Sequence, residues 1–344
     1  MDLKRYFKNS IPFFPHRRNY AEALKWLNLW RPKILSNSLK PQELKTQFGL
    51  EPIDIERLSP EFIQHALDIL TYSEFDQTYN QEAIYDFFLQ GDFAPGDNIQ
   101  LPVIRKLIKE GLGLMQTSQD PAHGFTHAIR CGRLAKILYQ ALRPAHPRLD
   151  WGVLATAAIW HDIYRINHLG FLYSKNSLWR KALRKIDILQ DLIIYSIHRQ
   201  DSIGSSLFFL KQSRKRLPKQ LRAQIAIAIL GEHTFEFLEE KFYPGISVYK
   251  NIILNADVID MVSTGRWEET HRNVILRHQT DRAFLKRMIT LNALFNISRA
   301  KNKVTFPLAH QLYQLAQKTL YQHGMRYYPD DAKMMKELLM DKPS

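Results

Sequence analysis

The chain has one cysteine, Cys131, in 344 residues, so it can close no internal disulfide and build no zinc-finger thiolate cage. A lone thiol also fits a reducing compartment. No apolar run reaches the roughly 18 residues that a spanning helix needs. The longest, near 151–160 and 225–230, have the length of buried helices. Glycine is sparse at 14 residues, and no internal repeat, low-complexity tract or sustained strand-type alternation is present. Fibrous and disordered classes are thereby excluded, and nothing signals a sheet.

Acids are outnumbered: 34 Asp and Glu against 48 Lys and Arg give a net charge of +14, and the flanks 1–50 and 266–344 carry much of it. Such an excess attracts phosphate, nucleic acid or anionic surfaces and says nothing about fold. No recognisable nucleic-acid-binding module accompanies it, so nucleic acid stays a partner unsupported by a motif. The basic start Met1-Asp2-Leu3-Lys4-Arg5 runs into a Pro- and Arg-containing stretch where a signal peptide would have its apolar segment. A cytoplasmic protein without a transmembrane segment is the expectation.

What is there is helix. Ser59-Pro60-Glu61 reads as N-cap, first-turn proline and first-turn acid of a helix over 60–72. The turn formers at 90–97 mark a boundary, and a second helix starts near 102. His127 falls in the first turn of an amphipathic helix, with Arg130 and Cys131 following on the same side. Asp150 caps an apolar helix over 151–163 that ends in His161-Asp162. A helix over 186–199 carries His198, and the run 225–230 delivers Glu232 and His233. The turn Tyr243-Pro244-Gly245 leads into a helix over 247–263, whose apolar stripe contains Asp257 and Asp260. Basic connections fill 164–185 and 199–222. Beyond 266, three or four helices are expected, with Asp281 capping one, Pro307 starting another and Gly324 closing it. The expected class is all-α, in three parts: an N-terminal helical region 1–100, a metal-binding helical core 101–265 and a C-terminal helical region 266–344.

The His161-Asp162 pair is the anomaly, because polar side chains at the end of so apolar a run need compensation. A cation would supply it. The helix-borne ligand candidates are His127, His161, Asp162, His198, His233 and Asp257. Helical bundles assemble metal sites from inward side chains of several helices. Imidazoles and carboxylates suit Fe, Mn, Zn, Co or Ni.

Three segments, His123-Gly124-Phe125-Thr126-His127-Ala128-Ile129-Arg130, Ala157-Ala158-Ile159-Trp160-His161-Asp162-Ile163 and Leu254-Asn255-Ala256-Asp257-Val258-Ile259-Asp260, resemble the HD-domain metal-dependent phosphohydrolases. The resemblance covers roughly 101–265. It implies an HD-type helical bundle in which His127, His161, Asp162 and Asp257 hold a first ion. His198 and His233 match the positions used for a second, with Asp162 bridging. Two divalent transition-metal ions are thus expected, about 3.5–4 Å apart, acting on a phosphoryl group through a metal-activated water. Arg130 and Arg165 are candidates for phosphate contacts because guanidinium pairs with phosphate bidentately. Lys211 and Arg214 could extend that contact along a nucleotide, and His123 could bind substrate or support a ligand. Asp260 and Glu232 could orient ligands. The implied function is hydrolysis of a phosphomonoester or phosphodiester, nucleotide-like. A di-iron oxygenase resembling the myo-inositol oxygenase group and a metal-binding regulatory HD module are the alternatives. The Gly-Tyr-Pro motif of the cyclic-dinucleotide enzymes is missing.

Overall fold

Asp150 begins the helix around which the others pack. Its carboxylate accepts hydrogen bonds from Gly152 N at 2.6 Å and Val153 N at 3.4 Å, filling two of the backbone donors that a helix start leaves open. Every residue from Trp151 to Trp160 is buried. A helix that is apolar all round can be satisfied only inside other helices. Trp151 and Trp160 are core residues, as expected, and each indole N–H finds a carbonyl: Trp151 donates to Phe88 O at 3.3 Å and Trp160 to Leu107 O at 3.0 Å.

The computed structural model describes residues 58–73, 80–89, 101–118, 123–164, 201–231, 242–269 and 303–327. Of these 79% are helical and none lies in a strand, so the chain is all-α. The helices are α1 (Pro60–Leu70), α2 (Gln81–Leu89), α3 (Leu101–Gln116), α4 (Phe125–Leu142) and α5 (Trp151–Trp160). They continue with α6 (Asp201–Ser213), α7 (Lys219–Leu230), α8 (Ile246–Asp260) and α9 (Pro307–Tyr327). Among the described residues no helix is long and apolar enough to cross a membrane.

Helix α5 packs on α3, α4, α7 and α8, while α4 and α8 pack on each other, which brings the ends carrying the candidate ligands together. The flanks join the same core. Helix α1 lies on α4, and α9 touches α1, α4 and α8. Asn255 on α8 donates through Nδ2 to Thr305 Oγ1 and accepts from Thr305 N, both at 2.9 Å, fixing the approach to α9. One hydrophobic cluster runs from Ala66 to Leu320.

Several expected boundaries shift for local reasons. Helix α1 starts as expected, Phe62 N donating to Ser59 Oγ at 3.2 Å, and ends at Leu70. The apolar helix stops at Trp160, not 163, and His161-Asp162 sit in a turn. Residues 201–213, expected as part of a basic connection, form helix α6, because Phe209 and its neighbours on that face pack inward while the basic residues stay out. Gly324 does not close α9, which continues to Tyr327. Glycine in the right-handed region costs only about 1 kcal/mol and does not by itself stop a helix. Close packing explains Gly132: a Cβ there would lie 2.1 Å from Phe88 Cε1.

Candidate metal centre

His127 Nε2 and His161 Nε2 each lie within 4.0 Å of a carboxylate oxygen of Asp162 and of Asp257. His127 comes from the first turn of α4, His161 and Asp162 from the turn after α5, and Asp257 from the last turn of α8. His127 Nε2 lies 3.2 Å from His161 Nε2, 3.1 Å from Asp162 Oδ2 and 3.8 Å from Asp257 Oδ1. His161 Nε2 lies 3.6 Å from Asp162 Oδ2 and 4.0 Å from Asp257 Oδ1. His161 keeps a right-handed helical backbone as the C-cap of α5, φ −62° and ψ −31°, and His161 and Asp162 both approach His127 from that end.

The tautomers follow from the other ring nitrogens. His161 Nδ1 donates to Ala158 O at 2.7 Å, a group that can only accept, so the neutral ring presents a lone pair at Nε2. His127 Nδ1 donates to Asp260 Oδ2 at 2.6 Å. Burial opposes ionisation of Asp260, but the Arg130 guanidinium and the bond from His127 hold its carboxyl well below the usual range. Four acceptors, two imidazole lone pairs and two carboxylate oxygens, therefore face each other without a donor among them. A proton or a cation between them would stabilise that arrangement. Burial is the largest influence on His127 and disfavours its charged form. The Arg266 guanidinium opposes it too, but the hydrogen bonds to Asp162 and Asp260 favour it, and the pKa of the ring is raised well above the usual imidazole range.

The donor set fits a metal ion. Ligand atoms about 2.1 Å from an ion are separated by roughly 3.0–3.4 Å at right-angled or tetrahedral geometry, close to the shorter separations here. Four carboxylates, Asp162, Asp257, Asp260 and Glu269, stand against two guanidiniums, Arg130 and Arg266, in this network. His127, Cys131, His161 and Asp257 also offer ligand atoms within 4.8 Å of one another, so a buried cluster of His, Cys and Asp could hold a metal. In place of Cys131 we favour Asp162, whose Oδ2 lies 3.1 Å from His127 Nε2. Cys131 Sγ is nearly equidistant from the two ring nitrogens of His127, 3.6 Å from Nδ1 and 3.8 Å from Nε2, which puts it off the Nε2 lone-pair direction. Burial pushes its pKa up to about 12, keeping it a thiol.

Asp260, one turn after Asp257, holds the ring of the candidate ligand His127. The two carboxylates share a face of α8 and bracket the His127 ring, one at each nitrogen. Such a carboxylate fixes tautomer and orientation and raises ligand basicity. Arg130, expected at a phosphate, is instead fully buried. Its Nε donates to Asp260 Oδ1 at 2.5 Å, Nη1 to Tyr72 O at 2.7 Å, and both Nη1 and Nη2 to Glu269 Oε2 at 3.2 Å. That guanidinium neutralises Asp260 and locks α4 to its neighbours, so its donors do not face the cluster.

His123 reaches the site from the α4 side, its ring centroid 5.3 Å from that of His127. Tyr164 N donates to Ser205 Oγ at 3.0 Å, which ties the start of α6 to the segment after Asp162. Lys211 and Arg214 are exposed, the first in the last turn of α6 and the second just after it. Arg216 beside them pairs with Glu110, Nη1 to Oε2 at 2.6 Å. Arg165, His198, His233, Glu232 and the connection 175–185 lie outside the described residues, as do the expected boundary at 90–97, the helix over 186–199 and Asp281.

Sequence reasoning missed Arg266 and Glu269, which lie just past the expected end of the core. They sit on a short helix over 264–269. Its start was legible in Ser263, whose Oγ accepts from Arg266 N at 3.3 Å. Its seating was less so: Gly265 lies so close to Tyr72 that a Cβ would be 2.1 Å from Tyr72 O, the carbonyl that Arg130 uses. No family model, no curated protein and no solved structure matches the chain.

Proposed function

We propose that the protein is a metal-dependent phosphohydrolase of the HD type, acting on a small phosphorylated substrate of nucleotide-like character. The observation that carries this reading is the convergence of His127 Nε2, His161 Nε2, Asp162 Oδ2 and Asp257 Oδ1, four acceptors with both imidazole Nδ1 positions committed elsewhere. The sequence order His, His-Asp, Asp, the pattern of that family, supplies the phosphoryl chemistry.

When bound, a divalent ion supplies Lewis acidity and lowers the pKa of a water. The chain's own part is to hold the donors ready. Asp260 fixes the His127 ring, the Ala158 carbonyl fixes the His161 ring, and burial of His127, His161 and Asp162 excludes competing solvent. Asp257, with 32% of its side chain exposed, is the member at the open side. We favour a pair of transition-metal ions, His198 and His233 completing the second position and Asp162 shared between them. The net charge of +14 supports an anionic substrate.

The test is metal analysis of the purified protein, then a phosphate-release screen over nucleotides and phosphomonoesters with oxygen uptake measured in parallel. His161→Ala and Asp162→Ala are expected to lose both metal and phosphate release. Wild-type metal content and activity in both variants would sink the reading, and oxygen consumption without phosphate release would replace it with an oxygenase. His198→Ala together with His233→Ala is expected to lower metal stoichiometry from two to one.

A further inference from the structure

Arg266 is a guanidinium at the open side of the cluster. Ser263 sets its position: Trp267 N donates to Ser263 O at 3.1 Å, and Ser263 Oγ donates to Asp260 Oδ1 at 3.0 Å. The side chain then turns back over the end of α8. Its Nη1 donates to Asp260 Oδ2 at 3.2 Å and lies 3.6 Å from Asp257 Oδ1, and its Nη2 donates to His123 Nε2. Arg266 is 11% exposed and Asp257 32%, whereas Arg130, His127 and Asp260 are wholly enclosed. A ligand arriving from solvent beside Asp257 therefore meets Arg266.

Charge satisfaction of Asp260 does not require Arg266. Asp260 Oδ1 already accepts from Arg130 and Ser263, and Oδ2 from His127. Asp257 is partly solvated. A second guanidinium held against this edge by a histidine is instead suited to an incoming anion, since its planar fork stays charged at all working pH and matches phosphate oxygens.

We infer that Arg266, braced by His123, binds an oxyanion of the substrate's phosphoryl group at the mouth beside Asp257. The role expected of Arg130 thus passes to a residue outside the segment that resembles the HD family. The inference rests on the phosphohydrolase reading above.

The experiment uses the full-length, metal-loaded protein and inorganic phosphate as the probe, with affinity measured by calorimetry and metal content by elemental analysis. Arg266→Gln is expected to keep wild-type metal content and to weaken phosphate binding about tenfold to a hundredfold, the range for losing a charge-assisted hydrogen bond. Arg266→Lys, which keeps the charge and loses the fork, should fall between the two. Unchanged phosphate affinity in metal-loaded Arg266→Gln overturns the inference, and so does loss of metal from that variant, which would make Arg266 a strut for the ligands. If circular dichroism shows Arg266→Gln unfolded, Arg266→Lys decides: clearly weaker phosphate binding supports the inference and wild-type affinity overturns it. A metal-loaded wild type that binds no phosphate removes the phosphohydrolase reading itself and this inference with it. That result is distinct from a wild type that binds phosphate independently of Arg266.

Discussion

His127 and His161 point their Nε2 atoms at each other across 3.2 Å, each ring locked by a hydrogen bond at its far nitrogen. Without a metal, a proton on His127 relieves the conflict, and that proton is held above the usual imidazole range. A metal must displace it. The proton-linked stability of the metal-free form is fully present below about pH 6.5 and is lost as pH rises through the raised value. Added divalent metal should therefore raise the melting temperature more at pH 8 than at pH 6, with proton release visible in calorimetry across buffers. A stabilisation of about 2.7 kcal/mol is expected at a free metal concentration a hundred times Kd. An equal effect at both pH values would count against the arrangement.

Asp260→Asn should injure both stability and metal binding. It leaves the buried Arg130 without its main partner, at a cost of about 3–5 kcal/mol at neutral pH. It also loosens the His127 ring, and loss of such a supporting carboxylate lowers metal affinity about 10–100-fold. Because the carboxyl is held below its usual range, its contribution is present above about pH 4 and drains away as the solution becomes more acidic. Urea titrations should show the gap between wild type and variant narrowing below that pH.

Gly265→Ala should destabilise the protein although the residue has ordinary helical neighbours. The new methyl would meet the Tyr72 carbonyl at 2.1 Å, and a backbone atom cannot turn aside. A cost of about 1–3 kcal/mol is expected from overpacking. Because the same helix carries Arg266 and Glu269, metal-loaded Gly265→Ala should also show weaker phosphate binding. Thermal melts and the phosphate titration check the two effects separately.

Cys131, the chain's single thiol, is a built-in reporter. Buried and with its pKa pushed up to about 12, it should resist aromatic disulfide reagents at pH 8 in the native protein and react fully in denaturant. Cys131→Ala should keep its metal content, since Sγ lies off the His127 lone-pair direction. Loss of metal from that variant would place sulfur in the coordination shell after all.

Charge reversal at Lys211 and Arg214, both exposed, tests whether they extend the phosphate contact: a raised KM for a phosphorylated substrate is the expected outcome. Arg216→Glu is the contrasting case. It sets like charges together at Glu110 and should lower the melting temperature instead. An unchanged KM in the first pair would remove them from the substrate path.

Much of this molecule was legible locally. Ser59 and Asp150 cap the helices they announce, the all-apolar 151–160 run is the buried centre, and the ligand order of His127, His161, Asp162 and Asp257 is written in the chain. Caps, periodicity and polar groups inside apolar runs act over a few residues, so a sequence exposes them. The class and the candidate ligands belong to that level.

The arrangement around those ligands was decided elsewhere. Arg130 looked like a substrate contact because it stands three residues from His127. It is a buried counter-ion because Asp260 and Glu269, 130 and 139 residues away, close on it. Arg266 carried no local signal and reaches the mouth only because Gly265 lets its helix settle on Tyr72. Which guanidinium is consumed by the core and which remains at the opening depends on charges and surfaces that meet only when distant helices pack. Spacing along the chain carries no record of that meeting.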